Sequence, residues 1–163
     1  MEPAALDGRL RGHRADESTN RMFHVSFVIS TLLLAGALRV PVPFTTVAEG
    51  QQSGVEERRE VVVRTAAEWK VLWRQHAPDL PAPAVDFDKA MVVGVFAGVR
   101  NTGGHSLKIT AIDREGANLV VSWHETRPPA DAIVSQVLTF PFHLVRIERS
   151  TGAVTFRQAP AVR

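Results

Sequence analysis

His105-Ser106-Leu107-Lys108-Ile109-Thr110-Ala111-Ile112 and Asn118-Leu119-Val120-Val121-Ser122-Trp123-His124-Glu125, joined by Asp113-Arg114-Glu115-Gly116-Ala117, decide the reading of the fold. Apolar and polar residues alternate on both arms, which is the period of a strand with one buried face. Setting Leu107 opposite Trp123, Ile109 opposite Val121 and Ala111 opposite Leu119 gathers the apolar pairs on one face. Ser106 with His124, Lys108 with Ser122 and Thr110 with Val120 then share the other. A slip of one residue would exchange the faces, so the pattern predicts an antiparallel hairpin in a defined register, with residues 113–117 as its loop.

The flanking sequence extends this unit in both directions. Met91–Gly98 is apolar on both faces and reads as a central strand, with Gly94 and Gly98 marking bulges or close backbone approach. Upstream, Glu60–Arg64 is a short β-branched strand. Thr65-Ala66-Ala67-Glu68 follows as a capping box, and Trp69, Leu72, Trp73 and His76 form one apolar helical stripe. The two tryptophans read as core anchors. Pro78, Pro81 and Pro83 end the helix. Downstream, Arg127–Asp131 is a loop, and Ile133–Phe140 reads as a strand interrupted by Pro141. Phe142–Ile147 continues as a strand, Ser150-Thr151-Gly152 is a turn, and Ala153–Arg157 closes the sheet. This order predicts an α+β domain, with one N-terminal helix packed on a mainly antiparallel sheet of about five to six strands. An all-β sandwich with one added helix is the alternative.

The folded domain is expected over residues 59–158, with a tail at 159–163. Residues 1–21 are polar and Arg-rich and read as disordered, or as an upstream extension of a chain that starts at Met22. Residues 22–48 read as a signal peptide. Phe23–Leu34 is its apolar core, and Ala35-Gly36-Ala37 and Val47-Ala48-Glu49 are candidate cleavage sites. Arg39, Pro41 and Pro43 stop the apolar run short of a membrane span. Residues 49–58 read as a flexible linker. The protein is therefore expected to be exported: secreted, periplasmic or envelope-associated.

Composition narrows the chemistry. The 163 residues include no cysteine, so no disulfide, thiolate metal site or cysteine nucleophile is available, and a lipid anchor on cysteine is excluded. The net charge is +2, and residues 59–158 hold twelve Lys and Arg against ten Asp and Glu, without a basic run. That argues against nucleic acid as a partner. His105, His124 and His143 are equally spaced, but the hairpin register puts His105 and His124 on opposite faces, which argues against a shared metal ion. Asp86 with Asp88, and Asp113 with Glu115, lie in turn contexts, where short acids bond the local backbone. No Gly-x-Ser-x-Gly elbow is present, and Thr102-Gly103-Gly104 precedes a strand rather than a helix. No catalytic, cofactor or metal site is assigned. The candidate functional feature is the glycine-rich loop entering the hairpin, Arg100-Asn101-Thr102-Gly103-Gly104-His105, read as a backbone-exposing loop that contacts a partner protein.

Several stretches, taken in order, resemble the C-terminal domain of the PrcB family of protease complex subunits. They are Glu68-Trp69 with Leu72-Trp73, Val85-Asp86-Phe87 with Lys89, Met91–Phe96, Thr102-Gly103-Gly104, Gln136–Thr139 and Pro141-Phe142-His143-Leu144-Val145-Arg146-Ile147. The resemblance covers roughly residues 59–157. His105 stands where the family usually has an aromatic residue, and Pro141-Phe142-His143 where it usually has Pro-Tyr-His. The resemblance implies an exported, non-catalytic subunit that associates with or stabilises a protease. It adds Phe142 and His143 to the candidate protein-binding residues. The Thr-Gly-Gly loop is also similar to the Pro-Thr-Thr-Gly-Tyr loop of chagasin-type cysteine protease inhibitors, so inhibition through Arg100–His105 is the alternative, beside a stand-alone envelope role.

Overall fold

The computed structural model describes residues 39–160. In chain order the elements are β1 (Arg39–Pro41), β2 (Thr45–Gly50), β3 (Arg59–Val63), α1 (Ala66–His76), β4 (Ala90–Phe96), β5 (Ser106–Glu115), β6 (Asn118–Thr126), β7 (Phe142–Glu148) and β8 (Val154–Gln158). They form two four-stranded sheets, ordered β1-β5-β6-β8 and β2-β7-β4-β3. All pairings are antiparallel except β6 with β8, which is parallel. No helix among the described residues is long and apolar enough to cross a membrane.

The expected α+β arrangement, one helix on a single sheet, is overturned: the domain is mostly β, with two sheets and one short helix. The reason lies in β4 and β7, which are buried on both faces. Met91, Val93, Val95, Val145 and Ile147 point between the sheets and meet Leu107, Ile109, Ile112, Leu119, Val121 and Trp123. Val92, Phe96, Phe142 and Leu144 point the other way and pack beneath Trp69, Leu72, Trp73 and Phe87. A strand apolar on both faces needs cover on both. The helix covers one face, and the hairpin, folded over as a separate sheet, covers the other.

The helix forms as its sequence dictates. Thr65 Oγ1 accepts from the Glu68 N–H at 3.2 Å, and Glu68 Oε2 accepts from the Thr65 N–H at 3.1 Å. The indole N–H groups of Trp69 and Trp73 donate to the Pro83 and Leu80 carbonyls, both at 2.9 Å, and fix the proline-rich crossing.

The hairpin exists, but its register differs from the sequence reading. Ile109 faces Trp123, and a bulge at Thr110 then shifts the pairing so that Ala111 faces Ser122 and Ile112 faces Val121. The extra residue turns the larger Ile112 into the core in place of Ala111. The strands also run on through residues 113–115 and leave a two-residue turn, Gly116-Ala117. Gly116 adopts φ +63°, which such tight turns require.

The Ile133–Phe140 strand is also corrected. The segment is irregular, with one isolated bridge, Arg100 with Thr139. Its alternation has no neighbouring strand to pair with, and Ile133, Val137 and Leu138 stand exposed. At the other end, residues assigned to the 22–48 and 49–58 segments join the domain. Arg39–Pro41 pairs with β5, and Thr45–Gly50 pairs with β7. Val55 is buried, and backbone bonds run from Gly54 N to His76 O and from Val99 N to Glu56 O. A polar, glycine-rich stretch can be held by its backbone without much apolar burial of its own. The readings on residues 1–38 lie outside the described residues.

Candidate functional site

The loop between β4 and β5 begins at Gly98, whose φ of +77° turns the chain. A side chain there would press on Arg58 N at 2.7 Å and Glu56 O at 2.8 Å. Arg100 then folds back as a strut. Its Nε donates to Glu125 Oε1 at 2.6 Å and its Nη2 to Glu125 Oε2 at 3.0 Å, while Nη1 donates to the carbonyls of Ala97 (2.8 Å) and Val99 (2.9 Å). Its backbone exchanges two hydrogen bonds with Thr139.

Glu125 is 1% exposed. Arg127 Nη2 and His105 Nδ1 each lie 3.5 Å from its carboxylate. Burial pushes the Glu125 carboxyl up, but Arg100 first, then Arg127 and His105, outweigh it and hold the group below its ordinary value. The carboxylate therefore stays charged and fixes the Arg100 end of the loop, with His105 Nδ1 beside it but not hydrogen-bonded to it.

The rest of the loop is anchored along a second segment. The Thr102 carbonyl accepts from Thr139 Oγ1 at 3.0 Å, and Gly103 N donates to Ser135 O at 2.9 Å. Gly103 is buried, and a side chain there would collide with Ser135 Oγ. Gly104 has φ +83° and passes close to Pro128 and Val134. Asn101 projects into solvent, while His105 turns inward toward Glu125.

Phe142 and His143 do not belong to this surface. Phe142 is buried in the helix layer, 4.2 Å from the His76 ring and 6.0 Å from Phe96. His143, one residue on, points between the sheets and is 1% exposed. Its Nδ1 accepts from the Ile109 N–H at 2.9 Å, which leaves Nε2 to carry the proton of a neutral ring. Thr46 Oγ1 lies 2.9 Å from Nε2 and Glu49 Oε2 3.4 Å. Burial lowers its pKa, and Lys108 adds to that effect against the opposing pull of Glu49. His143 is a pin between sheets, and alternation along β7 puts it and Phe142 on opposite faces.

The six loop residues are therefore brought together, and the two residues from β7 are buried in the core and take no part in the loop's surface. Sequence reading missed the apolar surface beside the loop. Val99 is 44% exposed, Val137 52% and Leu138 56%, and the Arg100–Thr139 bridge sets their two segments side by side. It also missed a hydroxyl–imidazole pair. His76 Nδ1 lies 2.8 Å from Ser53 Oγ, which itself accepts from the Val55 N–H. That ring is buried among Trp73, Phe96 and Phe142, and no carboxylate is bonded to it among the described residues, so the pair is a structural tie for residues 53–55. His124 lies opposite Lys108, away from both other histidines.

Residues 91–148 match the family model described as PrcB C-terminal, the family that the sequence resembles. The match runs from β4 through β7 and contains the loop and the Arg100–Glu125 pair. No curated protein and no solved structure matches the chain.

Proposed function

We propose, from the match of residues 91–148 to the PrcB C-terminal family model, a non-catalytic binding subunit that associates with a protease outside the cytoplasm and stabilises it. The family match carries this reading. The surface offered for contact is Asn101 with the neighbouring Val99, Val137 and Leu138, a polar tip beside exposed apolar side chains on a loop held rigid by Glu125. Pre-ordering of this kind lowers the entropy cost of binding. Export rests on the apolar run Phe23–Leu34. Cleavage after Ala35-Gly36-Ala37 leaves β1 and β2 whole, whereas cleavage at Val47-Ala48-Glu49 would divide β2, which favours the earlier position.

The test is affinity capture from the native envelope fraction with the full chain as bait and mass spectrometry of the retained proteins. An exported protease, retained less by Asn101→Arg and Val137→Lys, is the expected result. Equal retention of the active-site-blocked protease distinguishes a stabilising subunit from an inhibitor. Retention of nothing above background overturns the proposal.

A further inference from the structure

The outer strands of a sheet present backbone N–H and C=O groups with no ladder partner, and proteins usually blunt them. Three of the four outer strands here are blunted. β1 has three residues and ends on Pro41. β2 has a register shift between Thr46 and Ala48, and its Glu49 is tied to Lys108. β8 carries Arg157 and Gln158, the latter bound by Arg58 at 2.8 Å. β3 carries charge only at its first two residues, Arg59 and Glu60, and has neither a proline nor a register shift. It ends its sheet, pairs with β4 without a break, and contains Val61-Val62-Val63 with neither proline nor charge.

Alongside β3 runs a groove of about 630 Å³, bounded on its far side by α1. Val61, Val63 and Leu72 form its floor, and Ala67 and Val71 form its wall, with Val71 50% exposed. Three charged residues line it, and two are already engaged. Glu60 accepts from the Trp123 indole at 3.2 Å, and Glu68 caps the helix. Arg59 is not neutralised: its Nη2 donates to the uncharged Gln75 at 3.1 Å, and its Nε has no acceptor.

We infer that β3 and this groove receive an extended segment of a partner polypeptide as an added strand, with apolar residues at alternate positions and a carboxylate beside Arg59. Only an extended backbone satisfies a row of strand amides at sheet spacing, and alternate side chains then fall into the groove. The inference rests on the reading of the domain as a protein-binding subunit and gives it a second contact surface. The two surfaces lie near one another, since Arg59 pairs with Phe96 and Val99 bonds to Glu56.

The probe is a displayed library of random ten-residue peptides, panned on the full chain. Enriched peptides are then synthesised for affinity measurement and hydrogen exchange. Expected are peptides with alternating apolar residues and one Asp or Glu that protect amides within residues 59–63. Their affinity should fall at least tenfold with Val71→Arg or Ala67→Arg, both exposed helix positions, and their acidic preference should vanish with Arg59→Gln. Failure to enrich any peptide, or peptides that bind Val71→Arg and Ala67→Arg unchanged, overturns the inference. A protease captured equally by wild type and Val71→Arg would sink the groove and leave the subunit reading standing.

Discussion

Arg100→Ala tests the view that the loop is held from beneath by one buried ion pair. The substitution removes two charge-assisted hydrogen bonds, at 2.6 and 3.0 Å, from a carboxylate that is 1% exposed. Stranding one member of a buried pair costs about 3–5 kcal/mol. Arg127, 3.5 Å away, offsets part of this, and the Val99 carbonyl lies where water can reach it. The expected loss is therefore near the low end, about 3 kcal/mol, or a fall in Tm of about 10 °C. Urea unfolding read by tryptophan fluorescence measures it. Arg100→Met with Glu125→Leu should recover at least about 2 kcal/mol relative to the sum of the single losses, since no charge is then left buried. The pair also sets an acid limit. Glu125 titrates below its ordinary 4.5 in the folded state, so its contribution is complete above that pH and is lost as pH falls through the folded value. A loss below about 1 kcal/mol for Arg100→Ala, or additive single and double variants, would refute the reasoning.

Other expectations concern the pin and the turns. His143→Leu leaves the Ile109 N–H without its acceptor and should cost about 2–3 kcal/mol, with faster exchange of the Ile109 amide. His143 and His76 both have folded pKa values below the ordinary 6.5, so the unfolded chain binds more protons. Stability should hold above pH 6.5 and decline as pH drops toward the folded values, and His143→Leu should flatten part of that slope in urea melts across the range. Gly152→Ala drives a methyl into the Ala117 carbonyl oxygen and should cost about 2–4 kcal/mol by thermal unfolding. Gly116→Ala, which meets open space but has positive φ, should cost only about 1 kcal/mol. Thr65→Ala should lose about 1 kcal/mol with the helix cap.

Local chemistry was legible in the sequence wherever a few adjacent residues decide it. The capping box, the Trp69–His76 stripe and the two-faced Met91–Phe96 strand all stand in the structure as read. What escaped depends on distant partners. The second sheet follows from β4 being apolar on both faces, but which element covers the second face is a tertiary matter. Alternation along Ile133–Phe140 predicts a strand, and without a neighbour to bond it the segment stays irregular. The Thr110 bulge defeats any register built on strict alternation. Within the candidate site, the loop was visible through its glycines. The role of Arg100 was not, because its partner lies 25 residues away on another strand. His143 reads as a partner-contact residue in the sequence for the same reason: its acceptor role depends on an amide 34 residues distant.

The first two strands have a consequence for how the domain assembles in time. β1 joins one sheet and β2 the other, and the contact between Thr46 and His143 spans 97 residues. β2 is synthesised early but has nowhere to pair until β7 has been made, so the ends of the domain must close together as a late, slow event. Until that closure β7 is itself an open edge, and an early-folding body of β3 to β7 would expose it as a template for misassembly. A variant shortened to begin after Gly50 should therefore refold into aggregates even if its core packs, and supplying residues 39–50 as a separate peptide during refolding should suppress them.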